Sequence, residues 1–112
     1  MTDKEMTELA AVALGLETEW MVDNQGLPFL HNYENGCEFD PLHNDGDAFR
    51  LALELRLDIG YGYNLSNKEV VMVKHVDKFG GCFEEQLGSD KRISVRRTIV
   101  RAAAEIGKKM KK

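Results

Sequence analysis

Apolar residues recur every three or four positions in three segments of the chain, a spacing that places them on one face of a helix. The first segment follows Thr2 or Asp3, either of which can cap a helix, and it ends before Gly15. Its apolar face consists of Met6, Leu9, Ala10, Ala13 and Leu14. The pattern therefore predicts an N-terminal helix.

The second helical segment begins at Asn44 or Asp45, after a turn-like stretch at residues 39–44. Asp45 and Asp47 place negative charge where the first backbone N–H groups of a helix are unpaired, which stabilises that end. We expect its buried face to consist of Ala48, Leu51, Ala52 and Leu55, widened by Phe49 and Leu53.

The third segment starts near Asp90 and is expected to continue to about Lys108. Its predicted core face consists of Val95, Ile99, Ala102, Ala103 and Ile106. The remaining faces carry the basic residues Arg92, Arg96, Arg97, Arg101 and Lys108. We place a single α+β domain at residues 1–107 and interpret residues 108–112 as a basic C-terminal tail.

The segments between the helices predict strands. Alternating or β-branched residues occur at 18–22, 58–63, 69–76 and around 82–86, with a turn at 77–81, and a loop with a brief strand is expected at 27–37. The prediction is an α+β fold in the order α-β-α-β-β-β-α. A small antiparallel sheet of three to four strands would pack with the three helices.

Composition narrows the class of protein. The chain has 112 residues, 43% of them hydrophobic and 30% charged, which is typical of one folded soluble domain. No apolar run approaches the roughly 20 residues of a membrane span, and no signal peptide is recognisable. Cys37 and Cys82 form neither a close pair nor a disulfide framework, so reduced thiols in a cytoplasm are expected.

The charge is divided unevenly along the chain. Residues 90–112 carry nine lysines and arginines against two acidic residues, a net charge of +7, whereas the first 89 residues carry −11. If the basic helix faced solvent, it could follow a phosphate backbone. The acidic remainder would repel the same polyanion, or it could neutralise the helix within the fold or between subunits. Two opposed fields suit docking to a protein partner.

Catalytic and metal-binding motifs are weak in this sequence. The aspartates around Gly46 lack the ligand spacing of a calcium loop, and the histidines and cysteines lack the close spacing of a zinc site. No serine or cysteine stands in a nucleophile motif, and the glycine-rich segments lack phosphate-binding spacing. We therefore expect no cofactor and no enzymatic activity. Tyr61 and Tyr63 are candidate exposed anchors of an interface, although ordinary core or edge positions are also compatible with them.

Two segments together resemble a known family. Residues 39–52, Phe-Asp-Pro-Leu-His-Asn-Asp-Gly-Asp-Ala-Phe-Arg-Leu-Ala, and residues 96–104, Arg-Arg-Thr-Ile-Val-Arg-Ala-Ala-Ala, are similar to small phage and prophage proteins of the phage α-β-α sandwich domain family, which includes NinX-like proteins. The resemblance implies a cytoplasmic, phage-encoded accessory protein with a small sheet between helices. It implies no catalytic residues.

The functional hypothesis is a non-enzymatic accessory protein that binds a host or phage macromolecule, in one form by inhibiting a host defence or regulatory complex. A host or phage protein is the expected partner, and a homodimer is a further possibility. The alternative is a nucleic-acid-binding module that uses the basic C-terminal helix. The expected contact residues are Arg92, Arg96, Arg97, Arg101, Lys108, Tyr61 and Tyr63.

Overall fold

The computed structural model describes residues 1–75 and 82–110 of the chain. Its elements are α1 (Asp3–Ala13), β1 (Thr18–Val22), β2 (Pro28–Asn32), β3 (Cys37–Glu38), α2 (Asp45–Glu54), β4 (Leu57–Tyr63), β5 (Glu69–His75), β6 (Cys82–Gln86) and α3 (Lys91–Met110). The predicted α+β class and the order of helices and strands are confirmed. The turn expected at 77–81 lies outside the described residues.

The strands form two small antiparallel sheets rather than one. The first sheet has the order β1-β2-β3 and occupies the place where the sequence predicted a strand at 18–22 followed by a loop with a brief strand at 27–37. The second sheet has the order β4-β5-β6, with Ile59 opposite Val73 and Val73 opposite Phe83. Short connections explain the antiparallel pairing, since tight turns can join only antiparallel neighbours.

α1 packs closely against α3, and α3 packs against β5 and β6 of the second sheet. Both helices have small buried residues, among them Ala10 of α1 and Ala103 and Gly107 of α3. The crossing is so tight that a Cβ added to Gly107 would lie 1.9 Å from the carbonyl oxygen of Leu9. The core lies between this helix pair and the sheet.

The structure corrects the predicted buried face of α2. Ala48, Leu51 and Ala52 are buried as expected, but Phe49 and Leu53 are exposed. At about 100° per residue, positions 49 and 53 lie on the flank of the helix next to the buried stripe, and this flank stays in solvent. The widening of the stripe predicted from sequence is therefore wrong.

The C-terminal helix α3 buries the predicted core face, but it ends later in the sequence than predicted. Ile99, Ala102, Ala103 and Ile106 are buried, and Val95 packs against the core while partly exposed. α3 continues to Met110, so Lys108 and Lys109 belong to its exposed last turn rather than to a loose tail. Lys111 and Lys112, the end of the predicted tail, lie outside the described residues.

Candidate functional site

An apolar groove opens between α2, β4 and the first half of α3. Its volume is about 380 Å³. We call it the apolar groove. Its apolar lining residues are Ala48, Phe49, Ala52, Ile59, Tyr61, Val95 and Ile99; its charged lining residues, which we call the rim, are Asp45, Lys91, Arg92 and Arg96. Residues from three elements thus converge on one concave surface, the usual form of a binding site.

The exposed aromatic wall of the groove comes from α2. Phe49 is 67% exposed although it belongs to a helix whose adjacent residue, Ala48, is fully buried. Leu53 lies one helical turn after Phe49 and is exposed on the same flank of α2. Together these two large apolar side chains form a contiguous apolar patch. Such patches mark interaction sites, whereas a single exposed apolar residue does not.

The other aromatic wall comes from β4, whose side chains alternate between the two faces of the sheet. Leu57, Ile59, Tyr61 and Tyr63 share the face that is turned toward the helices. α2 covers the beginning of this strand, so Leu57 is buried, whereas Tyr61 is 60% and Tyr63 is 71% exposed. The exposure of both tyrosines predicted as interface anchors is therefore observed, and Tyr61 reaches the groove.

The basic residues at the rim each lie beside a carboxylate of this chain. Lys91 Nζ is 3.5 Å from Glu69 Oε1, and Arg92 Nε is 3.5 Å from Asp90 Oδ1. Because these pairs are exposed, they contribute little to stability, but they leave the rim close to neutral. The rim therefore favours a ligand that fits the groove by its shape and apolar surface rather than by its charge.

Arg96 is held more firmly than the other rim residues. Its side chain is only 13% exposed. Its Nε donates to the backbone carbonyl of Leu42 at 2.9 Å, and its Nη1 donates to Asp45 Oδ1 at 2.6 Å. Arg96 therefore joins α3 to the N-terminal turn of α2 and to the loop before it. It was predicted as a partner-binding residue, and the structure places it mainly in the fold.

Two further arginines predicted as contact residues lie in a different cavity. Arg97 Nη1 is 3.1 Å from Asp3 Oδ1, and Arg101 Nη1 is 3.1 Å from Glu85 Oε2. The Arg101 guanidinium also lies over the Phe83 ring, 5.6 Å from its centre. This cavity of about 480 Å³ lies between α1, β6 and α3, and it does not share these residues with the apolar groove.

The seven predicted contact residues thus separate into groups. Tyr61, Arg92 and Arg96 meet at the apolar groove, and Tyr63 follows Tyr61 along the same strand face. Arg97 and Arg101 face β6, and Lys108 lies in the last turn of α3. Sequence reasoning missed Phe49 as a site residue. Its position one residue outside the i, i+3, i+4 stripe was the signal that could have identified it.

Groups with a shifted pKa lie away from the groove. The pKa of Tyr33 is raised, chiefly by its hydrogen bond to Glu19. The pKa of Arg50 is raised by hydrogen bonds to Glu54 and then to Glu34. Within the described residues, no three histidine, cysteine or acidic side chains are grouped so that they could hold a metal ion. The groove combines aromatic walls with a neutral rim, an arrangement suited to holding apolar side chains.

Two observations bear on the class of protein. In residues 1–75 and 82–110, no helix has both the length and the apolar character needed to cross a membrane. Comparisons of the chain with protein-family models, with curated proteins and with solved structures found no match.

Proposed function

We propose that the protein is a non-enzymatic binding protein that holds a protein partner in the apolar groove. The observation that carries this proposal is that Phe49 of α2 and Tyr61 of β4 are both exposed and line the same groove. Exposed aromatic side chains beside a pocket are the usual anchors of protein–protein interfaces, because they bury much area with little loss of conformational entropy.

The charges of α3 give less support to the alternative, a nucleic-acid-binding module. A phosphate backbone is bound by lysines and arginines that are free to release counterions. Arg96, Arg97 and Arg101 are each within 3.1 Å of a carboxylate oxygen of this chain. Binding a polyanion there would require these pairs to separate while Asp45, Glu85 and Asp3 repelled the ligand. A mobility-shift assay at moderate salt tests this alternative, with Arg97 and Arg101 changed to glutamine as the control and Arg96 kept because it supports the fold.

The biological setting proposed for this activity follows from the family resemblance. A phage or prophage accessory protein in the cytoplasm of a bacterial host would bind a host or phage protein, for example to inhibit a defence or regulatory complex. That the chain is compact and has both signs of charge on its surface is compatible with such a role.

Site-specific photo-crosslinking tests the groove. A photoreactive phenylalanine analogue placed at Phe49 should crosslink one discrete protein in infected or lysogenic cells treated with nuclease. The same analogue at Val22, which is equally exposed at the end of β1, is the matched control and should not give that product. Equal crosslinking from both positions, or none from Phe49, would contradict the proposal.

Affinity measurements then test the role of the aromatic wall. With the crosslinked partner purified, Phe49→Ser should weaken binding at least about tenfold, since anchor side chains commonly contribute more than 1.4 kcal/mol. Val22→Ser should leave the affinity unchanged. Because both side chains are exposed, neither substitution should alter the melting temperature appreciably.

A further inference from the structure

We infer that β4 pairs with β4 of a second copy of this chain, antiparallel and centred on Gly60, and so joins two three-stranded sheets into one of six strands. This inference goes beyond the proposed function, because it concerns the pairing of the backbone edge of β4 with a second copy of the chain. Two side chains of this strand, Ile59 and Tyr61, also line the apolar groove. It depends on three features of the strand: an open edge, the lack of protecting charges and a self-complementary order of side chains.

The first feature is the open edge of the second sheet. β4 pairs with β5 on one side only, and no strand within residues 1–75 and 82–110 pairs with its other side. In an antiparallel pair, every second residue turns its N–H and C=O groups away from the partner strand. An outer strand of seven residues, Leu57–Tyr63, thus presents a row of backbone donors and acceptors to a further strand.

The second feature is the difference between the two edges of this sheet. The opposite edge strand, β6, carries Glu84 and Glu85 within its five residues, and such charges discourage pairing with another strand. β4 carries a single charge, Asp58, and has no proline, lysine or bulge. Natural edge strands usually have such protection unless the edge is used for pairing.

The third feature is the order of side chains about the midpoint of the strand. When two copies of β4 pair antiparallel around Gly60, Ile59 of each copy lies opposite Tyr61 of the other, and Leu57 lies opposite Tyr63. Each of these is an aliphatic–aromatic pair, a favourable cross-strand combination. Asp58 lies opposite a glycine, so no like charges face each other in this register.

The pairing would bury the tyrosines that the single chain leaves in solvent. Tyr61 and Tyr63 are 60% and 71% exposed. A fully buried tyrosine hides about 150–250 Å², so the exposed parts of the four tyrosines of two copies could bury roughly 400–650 Å², about half of the roughly 1,000 Å² that a specific interface requires. The paired backbones supply more. We therefore expect an association that depends on protein concentration in the micromolar range.

Electrostatics gives this association a distinct dependence on salt. Each copy has a net charge of −4, so two copies repel each other weakly at low ionic strength, and added salt screens that repulsion. Dimerisation should thus strengthen modestly with salt, whereas the binding of a polyanion would weaken steeply.

Charge-swapped variants at the midpoint test the inference by light scattering. A Cβ at Gly60 meets no atom within 4 Å, and the position faces away from the apolar groove, so a side chain can be added without disturbing the monomer. Gly60→Glu alone and Gly60→Lys alone should each be monomeric, because two like charges would face each other at the centre of the pairing. An equimolar mixture of the two variants should recover the dimer. Gly60→Ala, the uncharged control, should dimerise like the wild type.

Three results would overturn the proposed pairing of β4 with a second copy. A wild-type mass that stays at one chain up to millimolar concentration would overturn the inference, and so would a dimer that persists in Gly60→Glu or a mixture that fails to recover. Circular dichroism of each variant shows whether it is folded. Because Tyr61 also lines the groove, the crosslinking from Phe49 is repeated in the Gly60→Glu variant, where a partner product supports the groove whether or not wild-type chains pair. The two proposals therefore fail separately.

Discussion

Gly107 of α3 lies directly against the backbone of Leu9 in α1, so that an added Cβ would come within 1.9 Å of the Leu9 carbonyl oxygen and 2.8 Å of its carbonyl carbon. The obstacle is main chain and cannot turn aside as a flexible side chain can. The two helices can therefore approach this closely only because residue 107 has no side chain.

Gly107→Ala is expected to lower the free energy of unfolding by at least about 2 kcal/mol, as overpacking commonly does. Alanine favours a helix over glycine by about 1 kcal/mol, but the clash outweighs that gain. Urea denaturation followed by circular dichroism measures the change. Gly60→Ala, where the new Cβ meets nothing, should change the stability little. Equal stability of the two variants would show that the helices are not this close.

Leu51 and Leu53 test which flank of α2 is buried. Leu51 is fully buried, so Leu51→Ala should cost about 2–5 kcal/mol through lost burial and the cavity it leaves. Leu53 is exposed, and Leu53→Ala should stay within about 0.5 kcal/mol of the wild type. Chemical denaturation of both variants measures the difference, and a costly Leu53→Ala would contradict the observed orientation of the helix.

Arg96 is expected to stabilise the fold, unlike its exposed neighbour Arg92. Arg96→Gln removes the hydrogen bonds to the Leu42 carbonyl and to Asp45, so the free energy of unfolding should fall by about 1–3 kcal/mol. Arg92→Gln, which removes only an exposed pair, should change it by less than about 0.5 kcal/mol. Thermal unfolding of each variant measures the difference. If both variants had the melting temperature of the wild type, Arg96 would be a surface residue available for partner binding.

The N-terminal cap of α1 makes a prediction about pH. Thr2 Oγ1 accepts the Glu5 backbone N–H at 3.1 Å, while the Glu5 carboxylate accepts the Thr2 backbone N–H at 3.2 Å. The backbone hydrogen bond to Thr2 is the main cause that holds the pKa of Glu5 below its ordinary value of 4.5. Since the folded pKa is lowered, this contribution to stability is present above pH 4.5 and is lost as the pH falls through the folded value.

A side-chain NMR titration of Glu5 measures this effect. Thr2→Ala should raise the pKa of Glu5 toward its ordinary value, because it removes the hydroxyl bond and loosens the cap, whereas Thr2→Ser should keep the pKa low. A Glu5 pKa that is the same in all three proteins would show that the capping box does not form in solution.

The sequence alone determined the elements whose signals are local. The helix caps at Thr2 and Asn44 were among the predicted residues, because a side-chain oxygen caps the turn that immediately follows it. The three strands of the second sheet and the core face of α3 were also predicted, since periodicity reports which residues share a face.

The first sheet could not be predicted in full. β3 has only two residues, and Pro28 and the turn around Gly36 interrupt the alternation of apolar and polar residues in this segment. Leu30 and Phe39 are nevertheless buried and belong to the hydrophobic core. Their burial accompanies the pairing of β1, β2 and β3. Pairing between strands is a non-local interaction, and a short sequence window does not contain it.

Tertiary structure alone decided the character of the site. The sequence shows how many arginines α3 carries, but not which of them are paired. Only the fold brings Asp45 to Arg96 and Glu85 to Arg101, from positions more than 15 residues away, and so neutralises the charges of these arginines. Likewise, the sequence predicted that Phe49 is buried, whereas in the folded chain it is exposed. Periodicity determines which side chains share a face, whereas the packing of distant elements determines which faces are covered and which charges are paired.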